Sequence, residues 1–394
     1  MLTRRDLLRA ASAAGAALAL RPGLAAHVGG VTRRVAASLV VVELTGGDDG
    51  LDTVPPYGDD RYRRARPALG RAASRVRPLD EVLGLASELE GLAALFHEGR
   101  LRVQLGVGMP APDRSHFTSL DRWHAGDPAP SRRADGWLGR ALDALTPDDA
   151  PFAATAFGDR ALPRALAGAR RPVATCETLA DLRPGPAWRA AAADPARAAL
   201  AESWGAPADR ARDRAARDLA DRLEGALSKP LRGGDLPGGD LGRKLSDVLR
   251  LTAGGIRIPA TFVRTGGFDT HARQDRVRPQ LLADLDAALT GFARALVARG
   301  DFERTLTIVY SEFGRRIAEN GARGTDHGAA GPTLLLGGGV RPGLFGVRPD
   351  LRGVDGDVPA TCDFRRPLAS ALAHLGHPDP AAALGPEGVP LGDD

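Results

Sequence analysis

Four short segments of the sequence combine carboxylates, histidines and glycines. They are residues 46–50 (GGDDG), 266–271 (GGFDTH), 311–314 (SEFG) and 324–328 (GTDHG). Carboxylate oxygens and imidazole nitrogens are ligands that zinc, manganese and iron use in proteins. At least three of the segments follow a stretch with the pattern of a β-strand, and open α/β sheets place their ligands at such junctions. Together the segments predict a metal-assisted hydrolase.

Two of these segments each supply a carboxylate and a histidine. Asp269 and His271 are two residues apart, so both side chains project from one side of an extended segment. Asp326 and His327 are neighbours in a glycine-flanked turn. We expect all four to bind the metal ion. The structural alternatives are a solvated loop for the first pair and a histidine hydrogen-bonded to its neighbour for the second.

Two further carboxylates are expected ligands. Asp49 follows a predicted strand and two glycines, which let the backbone turn sharply; its alternative is an acidic turn that caps a helix. Glu312 ends a hydrophobic strand, where a carboxylate needs a partner, either a metal ion or Arg315 or Arg316. Those arginines alternatively clamp a phosphate or sulfate group, and we expect Arg315 to take this catalytic role.

Ser115 and His116 begin a predicted helix. Serine at this position is an ordinary N-cap, but free backbone N–H groups there also stabilise an anionic ester, and a nearby cation would activate the hydroxyl as a nucleophile. His116 is expected to act in catalysis, as a ligand or an acid–base group; a core histidine is the alternative. A Ser-His-Asp triad is the competing prediction, although the chain lacks the Gly-x-Ser-x-Gly turn of such enzymes.

The elements that position these residues alternate along the chain. Strands are predicted at 38–44, a continuous apolar run, and at 101–107, 260–263, 305–310 and 332–336, and helices are predicted at 79–98, 115–123, 277–299 and 361–375. Alternating strands and helices predict an α/β fold with a doubly wound, mainly parallel sheet. Residues 150–250, rich in Ala, Arg and Asp, are expected to form a helical insertion or cap.

The first 26 residues predict an export signal. Residues 3–8 (TRRDLL) carry a twin arginine, and residues 24–26 (LAA) offer a small-residue cleavage site. The twin-arginine export machinery is therefore an expected partner, and the expected location is periplasmic or secreted. No later apolar stretch of about 20 residues predicts a stable membrane span in the mature protein. Cys176 and Cys362 could form one disulfide in that compartment.

The charge of the chain does not indicate a nucleic-acid partner. Its net charge is +4, but the 53 basic residues are mixed with 49 acidic ones along the whole sequence. There is neither a basic tract nor a set of interleaved aromatics, which nucleic-acid binding favours. The composition is that of a protein with a solvated, arginine-rich surface.

Five motifs in this order resemble a bacterial family, the domain-of-unknown-function family 1501. They lie at residues 39–62, 113–123 (DRSHFTSLDRW), 266–271, 311–328 (SEFGRRIAENGARGTDHG) and 362–366 (CDFRR). The family is grouped with the alkaline phosphatase-like superfamily of phosphatases and sulfatases. The resemblance spans residues 38–376. It implies one domain, about 36–390, that is a three-layer α/β/α sandwich with two divalent metal ions and a Ser, Thr or Cys-derived nucleophile.

The resemblance also implies roles for individual residues. By position, Ser115 matches the nucleophile, with Thr118 in reserve, and Thr361 and Asp363 match the Thr-Asp before the last helix. The matches to metal ligands are Asp49 (with Asp48 as the alternative), Asp269, His271, Glu312 and His327. Phe313 departs from the pattern, because the superfamily has a metal-binding histidine there. Without that histidine, the expected site holds one or two divalent ions, such as zinc or manganese. Asp326 could replace the missing ligand.

The function expected from these observations is hydrolysis of a phosphate or sulfate ester outside the inner membrane. The substrate would be a small-molecule or glycan anionic ester. The alternative is a non-catalytic periplasmic binding or scaffold protein that keeps the metallohydrolase fold, and Phe313 is the residue that favours it.

Overall fold

The computed structural model describes residues 37–129, 134–146, 150–158, 160–183, 207–353 and 356–392. The predicted export signal, residues 1–26, lies outside the described residues. Within the described part of the chain, no helix is both long and apolar enough to cross a membrane.

Strands and helices alternate along most of the chain. The strands are β1 (Ser38–Leu44), β2 (Val76–Pro78), β3 (Gly84–Ala86), β4 (Leu101–Gly108), β5 (Ala154–Phe157), β6 (Val173–Cys176), β7 (Ala260–Thr265), β8 (Thr305–Tyr310), β9 (Gly331–Leu336), β10 (Gly343–Phe345) and β11 (Cys362–Asp363). The helices are α1 (Gly50–Thr53), α2 (Asp60–Ala65), α3 (Glu90–His97), α4 (His116–Ala125), α5 (Trp137–Leu145), α6 (Pro207–Ser228), α7 (Gly239–Ala253), α8 (Gln274–Arg299), α9 (Arg365–His374) and α10 (Pro380–Leu384). Short 3₁₀ turns occupy Ala73–Arg75, Arg164–Leu166, Leu179–Leu182 and Phe302–Arg304.

Nine of these strands form one sheet. Its order is β10-β4-β9-β8-β1-β7-β5-β6, and β11 also pairs with β4. The pairs of β1 with β7 and with β8 are parallel, and so are β5–β6, β5–β7, β10–β4 and β11–β4. β9 pairs antiparallel with both β4 and β8. Among the described strands of this sheet, β9 therefore runs against the others.

Helices cover both faces of the sheet, as alternate residues of β1 show. Leu39 and Val41 are buried in one hydrophobic cluster, which includes residues of α4, α5 and α9. Val40 and Val42 are buried in a second cluster with residues of α3, α7 and α8. A strand buried on both faces needs a continuous apolar run, which is the pattern of β1. The expected three-layer α/β/α sandwich with a mainly parallel sheet is confirmed.

Two segments differ from the predicted elements. The predicted helix 79–98 is a helix only from Glu90, because β2 and β3 form an antiparallel hairpin before it. Asp80 stabilises the hairpin turn, since its Oδ1 accepts hydrogen bonds from the backbone N–H groups of Val82 and Leu83. Within the predicted helical insertion 150–250, β5 and β6 instead extend the central sheet.

The two cysteines are buried and are not joined in a disulfide. Cys176 ends β6 at one edge of the sheet, whereas Cys362 begins β11, which pairs with β4 near the other edge. The width of the sheet therefore separates the two thiols, and the suggested disulfide is absent from this structure.

Candidate metal centre

The four segments of interest meet at one edge of the sheet. The segments that begin at Thr45, Gly266 and Ser311 follow the carboxyl ends of β1, β7 and β8, which are adjacent parallel strands. The segment 324–330 precedes β9, and because β9 is antiparallel, its amino end lies at the same edge. Open α/β sheets bind ligands at this edge, at the point where the strand order reverses. Here that point is β1, which lies between β7 and β8.

Glycine allows two of these segments to touch. Gly46 has a φ of +119°, and a Cβ at this position would lie 2.4 Å from the backbone nitrogen of Asp269. Any other residue would push apart the segments that follow β1 and β7. The Gly-Gly sequence is therefore required for close approach of the backbones as well as for the turn.

Three histidines surround one carboxylate at this edge. The Nε2 atoms of His271 and His327 are 2.8 Å apart, and they lie 3.1 and 3.2 Å from Oδ1 of Asp269. His116 approaches from the amino end of α4 and places its Nε2 3.5 Å from Oδ2 of the same carboxylate. The ligand atoms of His116, Asp269 and His327 all lie within 4.8 Å of one another.

The Nδ1 atom of each histidine faces an oxygen. It lies 2.7 Å from Oε1 of Glu312 for His116, 3.3 Å from Oδ1 of Asp326 for His271, and 2.8 Å from the carbonyl oxygen of Arg114 for His327. A carbonyl oxygen or a carboxylate only accepts hydrogen bonds, so Nδ1 carries the proton in each neutral ring. The three Nε2 lone pairs then point into the cluster. Metal-binding histidines are commonly held in this way.

The charge states support this assignment. Burial lowers the pKa of His327 from its usual 6.5, more than its hydrogen bond to Arg114 raises it, so the ring is neutral at neutral pH. A hydrogen bond from Asn320 lowers the pKa of Asp326, which is therefore an ionised acceptor for His271. Burial acts to raise the pKa of Asp269, but the hydrogen bond and the positive charge of Arg315 lower it overall.

Such an arrangement is unfavourable without a cation. Two imidazole lone pairs and a carboxylate oxygen face each other at 2.8–3.2 Å. Ligands at right angles around an ion, each about 2.1 Å from it, lie about 3.0 Å apart. The Nε2 of His116 is a buried nitrogen without a hydrogen-bond partner, which would leave its desolvation uncompensated. Donor chemistry, spacing and this orphaned atom all fit a divalent cation.

Two of the predicted ligands, Glu312 and Asp326, contact histidines of the cluster on the side away from Asp269. Glu312 is fully buried and holds His116 from Oε1, which also accepts from the backbone N–H of Gly46 at 2.9 Å. Asp326 is exposed and holds His271. Both carboxylates orient histidines in this structure, and neither occupies the position of a direct ligand.

Asp49 is engaged elsewhere. Its two carboxylate oxygens accept hydrogen bonds from Arg66 at 2.7 and 2.9 Å, and both side chains are fully buried. The Nε2 of Gln274 donates a further bond to Oδ2 at 2.5 Å. The structure therefore places this predicted ligand in a buried ion pair, because its charge is balanced by a guanidinium that the sequence motif did not include.

Arg315 is buried and directed inward. Its guanidinium donates to backbone carbonyl oxygens and to Oδ1 of Asp269, at 2.6 Å. The side chain of Arg315 has no exposed surface, and its donors are occupied by protein oxygens. The geometry therefore favours a role in orienting protein groups over the direct contact with substrate that we expected from the sequence.

Ser115 and Phe313 flank the cluster. Ser115 caps α4, and its Oγ accepts a long hydrogen bond, 3.4 Å, from the backbone N–H of Thr118. The ring of Phe313 packs against those of His116 and His327, with centroids 4.9 and 4.8 Å away. Phe313 thus supplies an apolar wall where the family resemblance led us to look for a ligand.

No motif in the sequence indicated the residues that support the site. Arg66 and Gln274 lie outside the motifs that we analysed, and each contacts Asp49 only because the chain folds back. A buried polar residue has no signature in a single sequence, since its partner is set by tertiary structure. His116 was expected in catalysis, and its position opposite Asp269 assigns it to the cluster itself.

The fold and the site define an α/β sandwich protein with a cluster of three histidines and one aspartate at the carboxyl edge of its sheet. The chain belongs to the family described as "Protein of unknown function (DUF1501)", whose model matches residues 101–361, more than half of the chain. Comparison with curated proteins finds no match.

Several solved structures share low similarity with the chain. The PsFucS1 sulfatase from Pseudoalteromonas sp. is 11% identical, with 86% of this chain and 68% of that chain covered and a TM-score of 0.39. A protein in the alkaline phosphatase superfamily from Vibrio parahaemolyticus is 12% identical, with coverage of 86% and 66% and a TM-score of 0.39. The C-terminal periplasmic domain of EcEptC from Escherichia coli, in complex with Zn, is 8% identical, with coverage of 77% and 73% and a TM-score of 0.35. At such TM-scores these likenesses assign neither an activity nor a substrate to this chain.

Proposed function

We propose that this protein is an exported metal-dependent hydrolase of phosphate or sulfate esters. The observation that carries the proposal is the convergence of three Nε2 atoms on Asp269, each ring fixed at Nδ1 by an oxygen acceptor. The family resemblance drawn from the sequence motifs implies the same class of reaction.

The proposed ligands are His116, Asp269, His271 and His327. A divalent ion such as zinc or manganese, when bound there, supplies Lewis-acid polarisation of an ester oxygen. Glu312 and Asp326 keep two of the rings in the tautomer that binds a cation. Arg315 holds Asp269, so this carboxylate keeps its orientation when a substrate enters.

The side chains of the cluster are accessible to a substrate. Asp269 and His271 have 48% and 44% of their side-chain surfaces exposed. Ser115, next to His116, offers a hydroxyl whose long cap bond uses only its acceptor side. The nucleophile is either this hydroxyl or a water molecule, and a small-molecule or glycan ester can reach both.

Export is part of the proposal and rests on residues 1–26 alone. The twin arginine, Arg4 and Arg5, precedes a short apolar run and a small-residue cleavage site. Fusing residues 1–26 to a reporter that is active only in the periplasm tests this directly. Replacing both arginines with lysine should abolish reporter activity, and unchanged activity would remove the export claim.

The activity is tested with purified mature protein loaded with zinc or manganese. We expect hydrolysis of 4-nitrophenyl phosphate or 4-nitrophenyl sulfate that chelation abolishes and metal restores. His327→Ala and Asp269→Asn should each lose at least about 100-fold, as expected for groups that hold the ion. His97→Ala, which changes an exposed histidine on α3, is the matched control and should retain full activity. Absence of hydrolysis in the loaded wild-type protein for both ester classes contradicts the proposal.

A non-catalytic scaffold is the second candidate, and a specific observation favours it. Arg66 and Arg315 already balance the charges of Asp49 and Asp269. Phe313 adds an apolar ring beside two of the histidines. Elemental analysis separates the candidates, because a scaffold of this kind needs no metal, whereas the hydrolase requires it in stoichiometric amount.

A further inference from the structure

We propose that the centre holds a single divalent cation, and that the guanidinium of Arg315 takes the position and the charge of a second one. This inference rests on the proposed metal centre and concerns how many ions it binds. Arg315 is a positioning residue in this scheme, because it acts on the site through Asp269, the surrounding backbone and Nε2 of His271, which lies 3.5 Å from Nη1.

The guanidinium of Arg315 lies inside a shell of oxygen atoms. Its Nε donates to the carbonyl oxygen of Gly47 at 2.7 Å, and Nη1 donates to that of Thr325 at 2.6 Å. Its Nη2 donates to the carbonyl oxygens of Gly46 and Phe268 and to Oδ1 of Asp269. Carbonyl and carboxylate oxygens are also the ligands of hard divalent cations. The shell is therefore built for a cation, and the chain itself provides one.

This shell comes from the segments that form the metal centre. Gly46 and Gly47 follow β1, Phe268 and Asp269 follow β7, and Thr325 precedes β9. A metal ion bridging these segments would have to bind the same oxygens. The side chain of Arg315 has no exposed surface, so an ion can enter only if the guanidinium leaves.

The balance of charge also indicates one ion. The carboxylates of Glu312 and Asp326 accept hydrogen bonds from two of the histidines, Oδ1 of Asp269 lies 3.2 Å from Nε2 of His327, and Arg315 supplies one positive charge. The group therefore carries two negative charges when the rings are neutral. One divalent cation neutralises it, whereas two would leave an uncompensated double positive charge beside buried groups.

Asp49, the other carboxylate that could hold a second ion, is also unavailable to a metal ion. Asp49 is paired through both oxygens with Arg66, and neither side chain has exposed surface. Releasing this carboxylate would leave a buried guanidinium without its partner, which is strongly unfavourable. Both places for a second ion are thus filled by arginines.

The test is the metal content of the folded protein. Mature protein dialysed against excess Mn²⁺ and then freed of unbound ion should contain one equivalent by mass spectrometry. Its electron paramagnetic resonance spectrum should show isolated Mn²⁺ without a spin-coupled pair. Two equivalents with a coupled signal overturn this inference even if ester hydrolysis is observed. One equivalent without hydrolysis overturns the proposed activity and leaves this inference intact. No bound metal overturns both.

A variant tests the role of Arg315 directly. Arg315→Ala empties the oxygen shell, and we expect it to bind a second equivalent of Mn²⁺ that millimolar guanidinium displaces. Arg278→Lys is the matched control, because Arg278 is equally buried among carboxylates but does not contact the cluster; it should bind one equivalent. If the Arg315→Ala protein folds but still binds one equivalent, the claim that the guanidinium of Arg315 occupies the position of a second ion is wrong. If this variant does not fold, the wild-type measurement decides.

Discussion

Thr270 and Thr325 donate hydrogen bonds to the same atom, Oε1 of Gln274, at 2.9 and 2.8 Å. Thr270 lies between Asp269 and His271, and Thr325 precedes Asp326 and His327. Both threonines are buried. One side-chain amide, at the start of α8, therefore aligns the two segments that carry most of the metal centre.

Removing this amide should weaken metal binding. Gln274→Leu leaves both threonine hydroxyls buried without their acceptor and also removes the donor to Asp49. We expect a loss of metal affinity of about 10- to 100-fold, the range seen when groups behind metal ligands are changed. Competition with a chromophoric chelator measures it. Gln280→Leu, an exposed change on the same helix, is the control and should bind metal as wild type does. Equal affinities for the two variants contradict the role of Gln274.

Asp326 should influence the metal through His271. Asp326→Asn replaces a carboxylate acceptor with a neutral amide, which weakens the hydrogen bond that holds Nδ1. Metal affinity should fall by about 10-fold without a change in the number of ions bound. Asp350→Asn changes an exposed carboxylate that pairs with Arg352 and serves as the control. If Asp326 is a direct ligand, the variant should instead lose the ion almost completely.

Metal should stabilise the folded protein. Because the ligands come from three separate segments, the unfolded chain has no preformed site, and binding shifts the folding equilibrium. Zinc at 100 times its dissociation constant should add about 2.7 kcal/mol and raise the melting temperature. Thermal unfolding with and without chelator measures the shift. His116→Ala should reduce it, and an unchanged melting temperature in the loaded wild-type protein contradicts metal binding.

The buried ion pairs of Arg278 with Asp48 and Asp52 should contribute more to the free energy of unfolding than exposed ion pairs do. Arg278 is buried and pairs with Asp48 at 2.9 Å and with Asp52 at 2.7 Å. Arg278→Met removes the cation and leaves both carboxylates buried without it, so unfolding should become easier by about 3–5 kcal/mol. Urea denaturation gives the value. Arg352→Met, a change at an exposed pair, should cost less than about 1 kcal/mol. Similar values for the two variants would show that the network contributes little.

Acid should destabilise the protein partly through Glu43. Burial acts to raise the pKa of this carboxyl, but His124 and Arg264 lower it from 4.5 to about 2. Because the folded pKa is the lower one, the stabilisation is complete above pH 4.5 and is lost as the pH falls towards 2, by up to about 3 kcal/mol.

The contribution of Glu43 is tested by measuring the free energy of unfolding in urea at pH values between 6 and 3. Glu43→Gln keeps the shape of the side chain, which also accepts a hydrogen bond from Tyr310, but it cannot titrate. The slope of stability against pH should be smaller in the variant than in the wild-type protein. Parallel curves would assign the acid sensitivity to other carboxylates, such as Asp52, whose pKa is also about 2.

The sheet was largely predictable because its strands are buried on both faces. β1 and β8 are mainly apolar runs, and β4 has an apolar residue at every second position, LRVQLGVG. These patterns are typical of buried strands. β5 and β6 were missed, since their short sequences, ATAF and VATC, contain alanines and threonines that do not distinguish a strand from other structures. Helix α3 was placed too early because the leucines of the preceding hairpin occur at helical spacing.

The chemistry of the site could be read from the sequence: which carboxylates and histidines follow strands, and hence which ones gather at one edge of a parallel sheet. Their individual roles depended on the folded structure, because direct ligands and the groups behind them are the same residue types. The antiparallel direction of β9 brings His327 to the edge. The folding back of the chain places Arg66 on Asp49 and Arg315 on Asp269. A carboxylate binds metal or pairs with arginine according to which cation reaches it, and contacts between residues 17 and 46 positions apart, as in these two pairs, are set by packing.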